Sequence, residues 1–311
     1  MRLRKLLLLG FLLLTLPACT LPGAASPTPF TFPTPNLTHT AIFAATPTHT
    51  PLPPTLPPLE IPDTSTPTPA TPPGETPAST PTLTPLPVST DVRPHGAPVL
   101  ASYLSAPPTL DGDLSDWAGS PYLADKVLAY ASGGWTGPSD LSASYYVGWD
   151  TAALYLGVQR TDDTFVQVSS GRYMYKGDDV EIQLDLDLPG DYHSTSLSAD
   201  DYQIGLSPGN FGSLGEEAYL WYPRWLEQRL GSVQVSALKT AYGYDLEARI
   251  PWTVFGITPV EGQAFGFALS LSDNDLSGLA TWQSMVSSVE TRRLADPTTW
   301  GTLILEAPSG K

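Results

Sequence analysis

Apolar side chains recur at every second position through much of the stretch 99–311. In DDVEIQLDLD, Val180, Ile182, Leu184 and Leu186 alternate with Glu181, Gln183, Asp185 and Asp187. ALYLGVQ sets Leu154, Leu156 and Val158 against Tyr155, Gly157 and Gln159. GYDLEARI sets Leu246, Ala248 and Ile250 against Asp245, Glu247 and Arg249, and FGFALSL repeats the pattern with Phe265, Phe267, Leu269 and Leu271. Successive side chains of a strand leave opposite faces. A period of two therefore predicts strands with one face in a core and the other toward solvent or a ligand. SASYYVGW, DYQIGLS, SVQVSAL, ATWQSMV and GTLIL read the same way, and the clusters LPGD, SPGN, AYGY and SDND mark turns between the runs. The best helix candidate is PWTVFG (251–256), short and with Pro251 suited to a first helical position. Nine or more short strands without a long helix predict an all-β fold, an antiparallel β-sandwich of jelly-roll-like kind.

The first 98 residues lack this pattern. Arg2, Arg4 and Lys5 precede the apolar run Leu6–Leu14, and Leu16-Pro17-Ala18-Cys19 follows. A basic start, a short apolar stretch and a small residue before a cut make a secretion signal. The run is too short to span a bilayer comfortably, which takes about 20 residues. Cys19, the only cysteine, resembles the lipobox cysteine of bacterial lipoproteins. That resemblance implies a signal peptide over 1–19, lipidation at Cys19 and an extracytoplasmic protein tied to the membrane through its lipid alone. Residues 20–98 hold 22 of the 34 prolines and 19 threonines. Proline fixes φ and donates no hydrogen bond, so this composition predicts a disordered, extended Pro/Thr-rich tether. The folded domain is expected over 99–311.

Charge narrows the partners. Residues 99–311 carry 27 acidic against 11 basic side chains, while residues 1–98 balance. So acidic a domain is a poor partner for nucleic acid or anionic lipid. It has no cysteine and one histidine, His193, which argues against zinc, iron–sulfur and copper sites. No phosphate-cradling loop or dinucleotide fingerprint occurs. Asp273-Asn274-Asp275-Leu276-Ser277-Gly278 spaces oxygens as in the first half of a calcium loop, which makes Asp273, Asp275 and Ser277 candidate ligands. Ser284 stands where such a loop would need its closing glutamate, and a plain turn explains the same residues. Asp111, Asp113 and Asp116 form another oxygen-rich turn.

Four segments in order, LDGDLSDW (110–117), YKGDDVEIQLD (175–185), GYDLEARIPW (243–252) and DPTTWGTLIL (296–305), resemble the family 9 carbohydrate-binding modules and the related DOMON-like sandwiches. The resemblance covers 106–306. It implies packing roles for Trp117, Trp149, Trp252 and Trp300. It also implies a sugar site in which Tyr175 is an aromatic plate and Glu181 and Gln203 bond sugar hydroxyls. The family's arginine two residues after that glutamine is Gly205 here, and its second aromatic jaw falls at Leu294. Arg292 or Arg293 is positioned to restore a cation. Structural calcium is a further implication. A sugar ring shows C–H bonds on its face and hydroxyls on its rim, which suits a plate flanked by polar groups. Glu181, Gln183 and Asp185 are expected on a face open to solvent or ligand. Trp135, in the loop GGWTGPSD, and Trp221 and Trp225, in LWYPRW, are further candidate platforms.

The function these readings imply is a surface-anchored, non-catalytic module for a polysaccharide or cell-wall glycan. A glycoside hydrolase would use two carboxylates, and the sequence singles out no pair. A DOMON-like haem domain would need axial ligands, for which Met174, Lys176, His193 and Met285 are the candidates. An adhesion or envelope-assembly role without sugar also fits the fold.

Overall fold

The computed structural model describes residues 91–308 together with the backbone of Thr84–Pro85. The signal peptide and most of the expected tether lie outside the described residues. Sixteen strands follow in chain order among the described residues: β1 (Thr84–Pro85), β2 (Val99–Tyr103), β3 (Tyr122–Ala124), β4 (Lys126–Ser132), β5 (Leu141–Trp149), β6 (Ala153–Asp162), β7 (Asp179–Asp185), β8 (Asp201–Ser207), β9 (Glu217–Tyr222), β10 (Gln228–Arg229), β11 (Gln234–Thr240), β12 (Gly243–Pro251), β13 (Ile257–Thr258), β14 (Ala264–Asp273), β15 (Ser284–Ser287) and β16 (Gly301–Leu305). The helix expected at 251–256 is a 3-10 turn over Trp252–Val254. No helix among the described residues is long and apolar enough to cross a membrane.

Fourteen of these strands form one curled sheet with the main path β10-β9-β8-β7-β14-β16-β2-β5-β6-β12-β11, from which β3 branches at β5 and β15, with β4, at β14, while β1 pairs in parallel with β13 apart from it. Most neighbours are antiparallel, but β2 joins the two halves by parallel pairing with β16 and β5. The expected antiparallel sandwich is thus a mostly antiparallel sheet folded over on itself. Its halves share one core, to which β7 gives Val180, Ile182 and Leu184, β12 gives Leu246, Ala248 and Ile250, and β14 gives Phe265, Phe267, Leu269 and Leu271. These are the apolar members of the alternating runs. Trp149, Trp252 and Trp300 are buried as packing residues. Trp117 packs flat on the outer face of β6, where a Cβ on Gly157 would stand 2.6 Å from its ring. Only glycine lets the indole approach the strand so closely.

The outer face of β7 departs from expectation. Asp179, Glu181, Gln183 and Asp185 are all at most 2% exposed. Arginines reach this row from elsewhere in the chain: Arg292 pairs with Glu181 at 3.1 Å and Arg93 with Asp185 at 2.8 Å. Close by, Arg160 donates to the backbone carbonyl of Asp179 at 3.2 Å. Burying carboxylates is costly unless they are paired, and the guanidiniums supply the pairing for Glu181 and Asp185, while both Asp179 carboxylate oxygens are buried without a hydrogen bond. Arg93 lies before residue 99, so ordered packing begins ahead of the composition boundary.

Candidate functional site

A short 3-10 turn, Gly171–Lys176, leads into β7 and is held from below by the buried Met174. It presents Arg172, Tyr173 and Tyr175 at the entrance of a cavity of about 540 Å³. The floor is Glu181 on β7 and Gln203 on β8, with Trp221 on β9. Tyr130 on β4, Met285 on β15, Trp282 just before it, and Arg292 and Leu294 after it form the other wall, with Arg224 at the rim. Four of the residues expected to bind sugar, Tyr175, Glu181, Gln203 and Arg292, therefore meet in one cavity from three separate parts of the chain.

Glu181 does not face open solvent. Its carboxylate accepts from Arg292 Nη2 at 3.1 Å, Gln203 Nε2 at 3.0 Å and Ser272 Oγ at 3.3 Å. Arg292 is held in turn by the Tyr130 hydroxyl at 2.7 Å. Shared donors and fixed neighbours make this a stiff polar network in a low-dielectric setting. Arg293 is exposed and is not among the cavity-lining residues.

The loss of the arginine at Gly205 has a steric cause. A Cβ there would lie 2.3 Å from the Trp221 ring and 2.7 Å from the Met174 sulfur. Trp221 fills the space, and its indole N–H donates to the Arg172 carbonyl at 2.9 Å. Tyr175 meets this ring edge-on, with centroids 6.2 Å apart. Trp225 instead stands 65% exposed on the turn Arg224–Leu226.

Trp135 is not in this cavity. It is half-buried against the core and donates its indole N–H to the Leu141 carbonyl at 3.1 Å. Trp282 is the lining aromatic that sequence reasoning misses. The alternation in ATWQSMV assigns it to a strand, but it precedes β15 and is 38% exposed. Its only sequence signal is an aromatic next to the turn-rich SDNDLSG. The haem candidates are engaged in other ways. Met174 is buried, Met285 accepts from Arg292, the Lys176 ammonium lies over the Tyr173 ring, and His193 packs edge-on against Tyr192.

Among the described residues, carboxylates gather in three groups whose oxygens lie within 4.8 Å of one another: Asp162–Asp178–Asp273, Asp140–Asp163–Asp275 and Asp185–Asp191–Asp200. Each is close enough to hold a divalent cation. Asp273 and Asp275 thus belong to different groups, because β14 ends at Asp273 and the chain turns at Asn274. The first group already surrounds a cation: Arg160 pairs with Asp178 at 2.8 Å, Asp162 at 2.9 Å and Asp273 at 3.4 Å. Burial opposes the Arg160 charge, yet Asp178 and Asp162 outweigh it and raise the pKa. Burial pushes Asp273 up to about 6 against the lowering effect of Arg160. The third group is less balanced. Asp201 stands opposite Asp185 across β7 and β8, is fully buried, and has an Oδ1 with no hydrogen-bond partner. Both Asp191 oxygens are also buried without a hydrogen bond. Burial, together with Asp185, Asp191 and Asp200, raises Asp201 to about 7 despite the Ser198 N–H. Burial raises Asp185 to about 6 even beside Arg93. Such an excess of desolvated carboxylate oxygens fits a hard cation with oxygen ligands.

Comparison with known proteins agrees with this fold. A family 9 carbohydrate-binding module from Caldicellulosiruptor kristjanssonii in complex with cellotriose is similar at 19% identity, covering 68% of this chain and 95% of that one, with a TM-score of 0.51. A family 9 module structure from the same organism in complex with glucose is similar at 20% identity, covering 69% and 98%, with a TM-score of 0.52. These likenesses establish the fold. No curated protein sequence matches significantly. The family described as Carbohydrate family 9 binding domain-like matches residues 111–307. With nearly two-thirds of its length inside that match, the chain belongs to this family of carbohydrate-binding domains.

Proposed function

We propose that the cavity between the Gly171–Lys176 turn and the 282–294 segment is the glycan site. Tyr175 supplies one aromatic plate and Trp282 a second, in place of the jaw that is Leu294 here. Glu181, Gln203 and Arg292 hold sugar hydroxyls. The convergence of these residues on one cavity of about 540 Å³ carries the reading. Apolar rings cover the C–H face of a pyranose, and charge-assisted donors and acceptors pair with its rim. Titration calorimetry with cellotriose, the ligand of one similar structure, tests it. Tyr175→Ala and Trp282→Ala are each expected to weaken binding about tenfold, the loss of roughly 1.4 kcal/mol of ring contact. Both variants should keep the wild-type melting temperature, since both rings are partly exposed. Trp135→Ala should bind as wild type. Unchanged affinity in both plate variants would move the site elsewhere.

The module is displayed at the cell surface in this reading, with Cys19 lipidated and residues 20–98 as a spacer. Its partners are a polysaccharide or cell-wall glycan and, through the lipid alone, the membrane. The lipobox-like start carries this part. Cys19→Ser is expected to shift the protein from the membrane fraction to the soluble one or to leave it unprocessed. A variant that is cut normally and still sediments with membranes would end the lipoprotein reading.

Calcium is the cation we assign to Asp185, Asp191, Asp200 and Asp201, with Asp140, Asp163 and Asp275 as a second set. The pH dependence has a definite sign. Asp185 and Asp201 have folded values of about 6 and about 7 against 3.8 unfolded. Between those limits the folded state binds more protons, so these groups lose stabilising effect as pH rises. Calcium binds the ionised form, so its stabilisation should grow over the same interval. The calcium-induced rise in melting temperature is expected to be larger at about pH 8 than at about pH 5 and to shrink in Asp201→Asn. An equal shift at both pH values, or none, removes calcium from this cluster.

A further inference from the structure

The charge of the cavity runs against that of the domain. Across 99–311 acids outnumber bases 27 to 11, yet Arg172, Arg224 and Arg292 line this one cavity with Glu181 as its single lining carboxylate. Arg292 is already paired with Glu181. The other two arginines stand at the mouth with side chains 53% and 66% exposed. They share one partner, Glu227, at 3.1 Å and 3.3 Å. Two guanidiniums on one carboxylate leave a net positive charge. Lys176 adds to it, with its ammonium 5.4 Å from the centre of the Tyr173 ring.

A neutral sugar requires none of this. The acidic remainder of the domain repels anions, so an anion is drawn to this rim and disfavoured elsewhere. Arginine offers a planar fork that fits the oxygens of a carboxylate or a sulfate in a bidentate way. The placement is apt for a substituted sugar. Arg172 lies on the turn that carries Tyr175, and Arg224 follows the strand that carries Trp221. A ring stacked near those aromatics would bring a charged substituent to the two guanidiniums.

We propose that the saccharide bound in this cavity carries an anionic substituent, a uronate carboxylate or a sulfate ester, held by Arg172 and Arg224. The inference rests on the reading of the cavity as the glycan site. The full chain is titrated with neutral xylotetraose, with the same oligomer bearing one glucuronic acid, and with the same oligomer bearing one sulfate. At low salt at least one charged oligomer should bind about tenfold more tightly than the neutral one. The preference should shrink several-fold in about 0.5 M salt, as expected for charges at an exposed rim. The double variant Arg172→Gln, Arg224→Gln should bring the charged oligomer down to the affinity of the neutral one. Whichever charged probe binds more tightly names the substituent. Equal or weaker binding of both charged oligomers overturns the proposal while leaving the glycan site intact, as does a preference that survives in the double variant. Absence of binding by all three and by cellotriose overturns the glycan site itself, and the proposal with it.

Discussion

Arg160→Ala is expected to destabilise the domain severely. Arg160 is 1% exposed and ties the end of β6 to β7 and β14. Its guanidinium pairs with Asp162, Asp178 and Asp273 and donates to the carbonyls of Asp179 at 3.2 Å and Ser272 at 2.7 Å. Alanine removes the one cation from three buried carboxylates. Burial already raises Asp178 well above its ordinary value, with Arg160 the main opposing influence. Breaking a buried pair in this way costs about 3–5 kcal/mol. That is a large share of the roughly 5–15 kcal/mol that holds a domain together. Circular dichroism should show a melting temperature lower by about 6–20 °C, or no cooperative transition. Arg160→Lys should recover only part, because one ammonium cannot reach three carboxylates and two carbonyls at once. A melting curve coincident with wild type for Arg160→Ala would mean that the carboxylate cluster carries no net charge in the folded protein.

Glu181 and Arg292 call for a test that separates folding from recognition. Arg292→Met leaves the buried Glu181 carboxylate without its cation, so both stability and sugar binding should fall, stability by about 3–5 kcal/mol. Glu181→Gln keeps the shape but loses the charge-assisted acceptor. Hydrogen bonds to charged groups contribute about 1.5–3 kcal/mol each, so a loss of roughly 100-fold in affinity is expected. The double variant Glu181→Gln, Arg292→Met buries neither charge. It should regain most of the stability lost in Arg292→Met, since removing both partners is far cheaper than removing one. Sugar binding should not return with it. Calorimetric binding at wild-type strength in the double variant would reduce this pair to a structural role.

Much of the fold is legible in the amino-acid sequence. The apolar members of the alternating runs on β7, β12 and β14 face the shared core, because a pleated strand sends alternate side chains to opposite sides whatever its neighbours are. The order of strands in the sheet is not legible there. β2 pairs in parallel with both β16 and β5, and no local pattern encodes a partner about 200 residues away, as in Leu303 with Val99.

The site is legible in part. Tyr175, Glu181, Gln203 and Arg292 can be named from motif resemblance, and they do share a cavity. Their surroundings cannot. Polar alternation on β7 suggests a wet face, but Arg292 and Arg93 cross it and exclude water. Trp282 sits outside any strand, so periodicity carries no information on where its ring points. Trp135 reads as a loop platform and is packed on the core instead.

The amino-acid sequence by itself determined that the alternating runs on β6, β7, β12 and β14 are strands, which of their side chains enter the core, and that the domain is acidic with few metal-binding side chains besides carboxylates. These are local consequences of side-chain alternation and composition. Only the tertiary structure decided which carboxylates are paired, which stand in excess, and which aromatics line the cavity. Those outcomes depend on close approaches between distant parts of the chain. Trp221 over Gly205 is one, and Arg292 against Glu181, 111 positions apart, is another. In a low-dielectric interior a few ångströms separate a neutralised charge from a binding site.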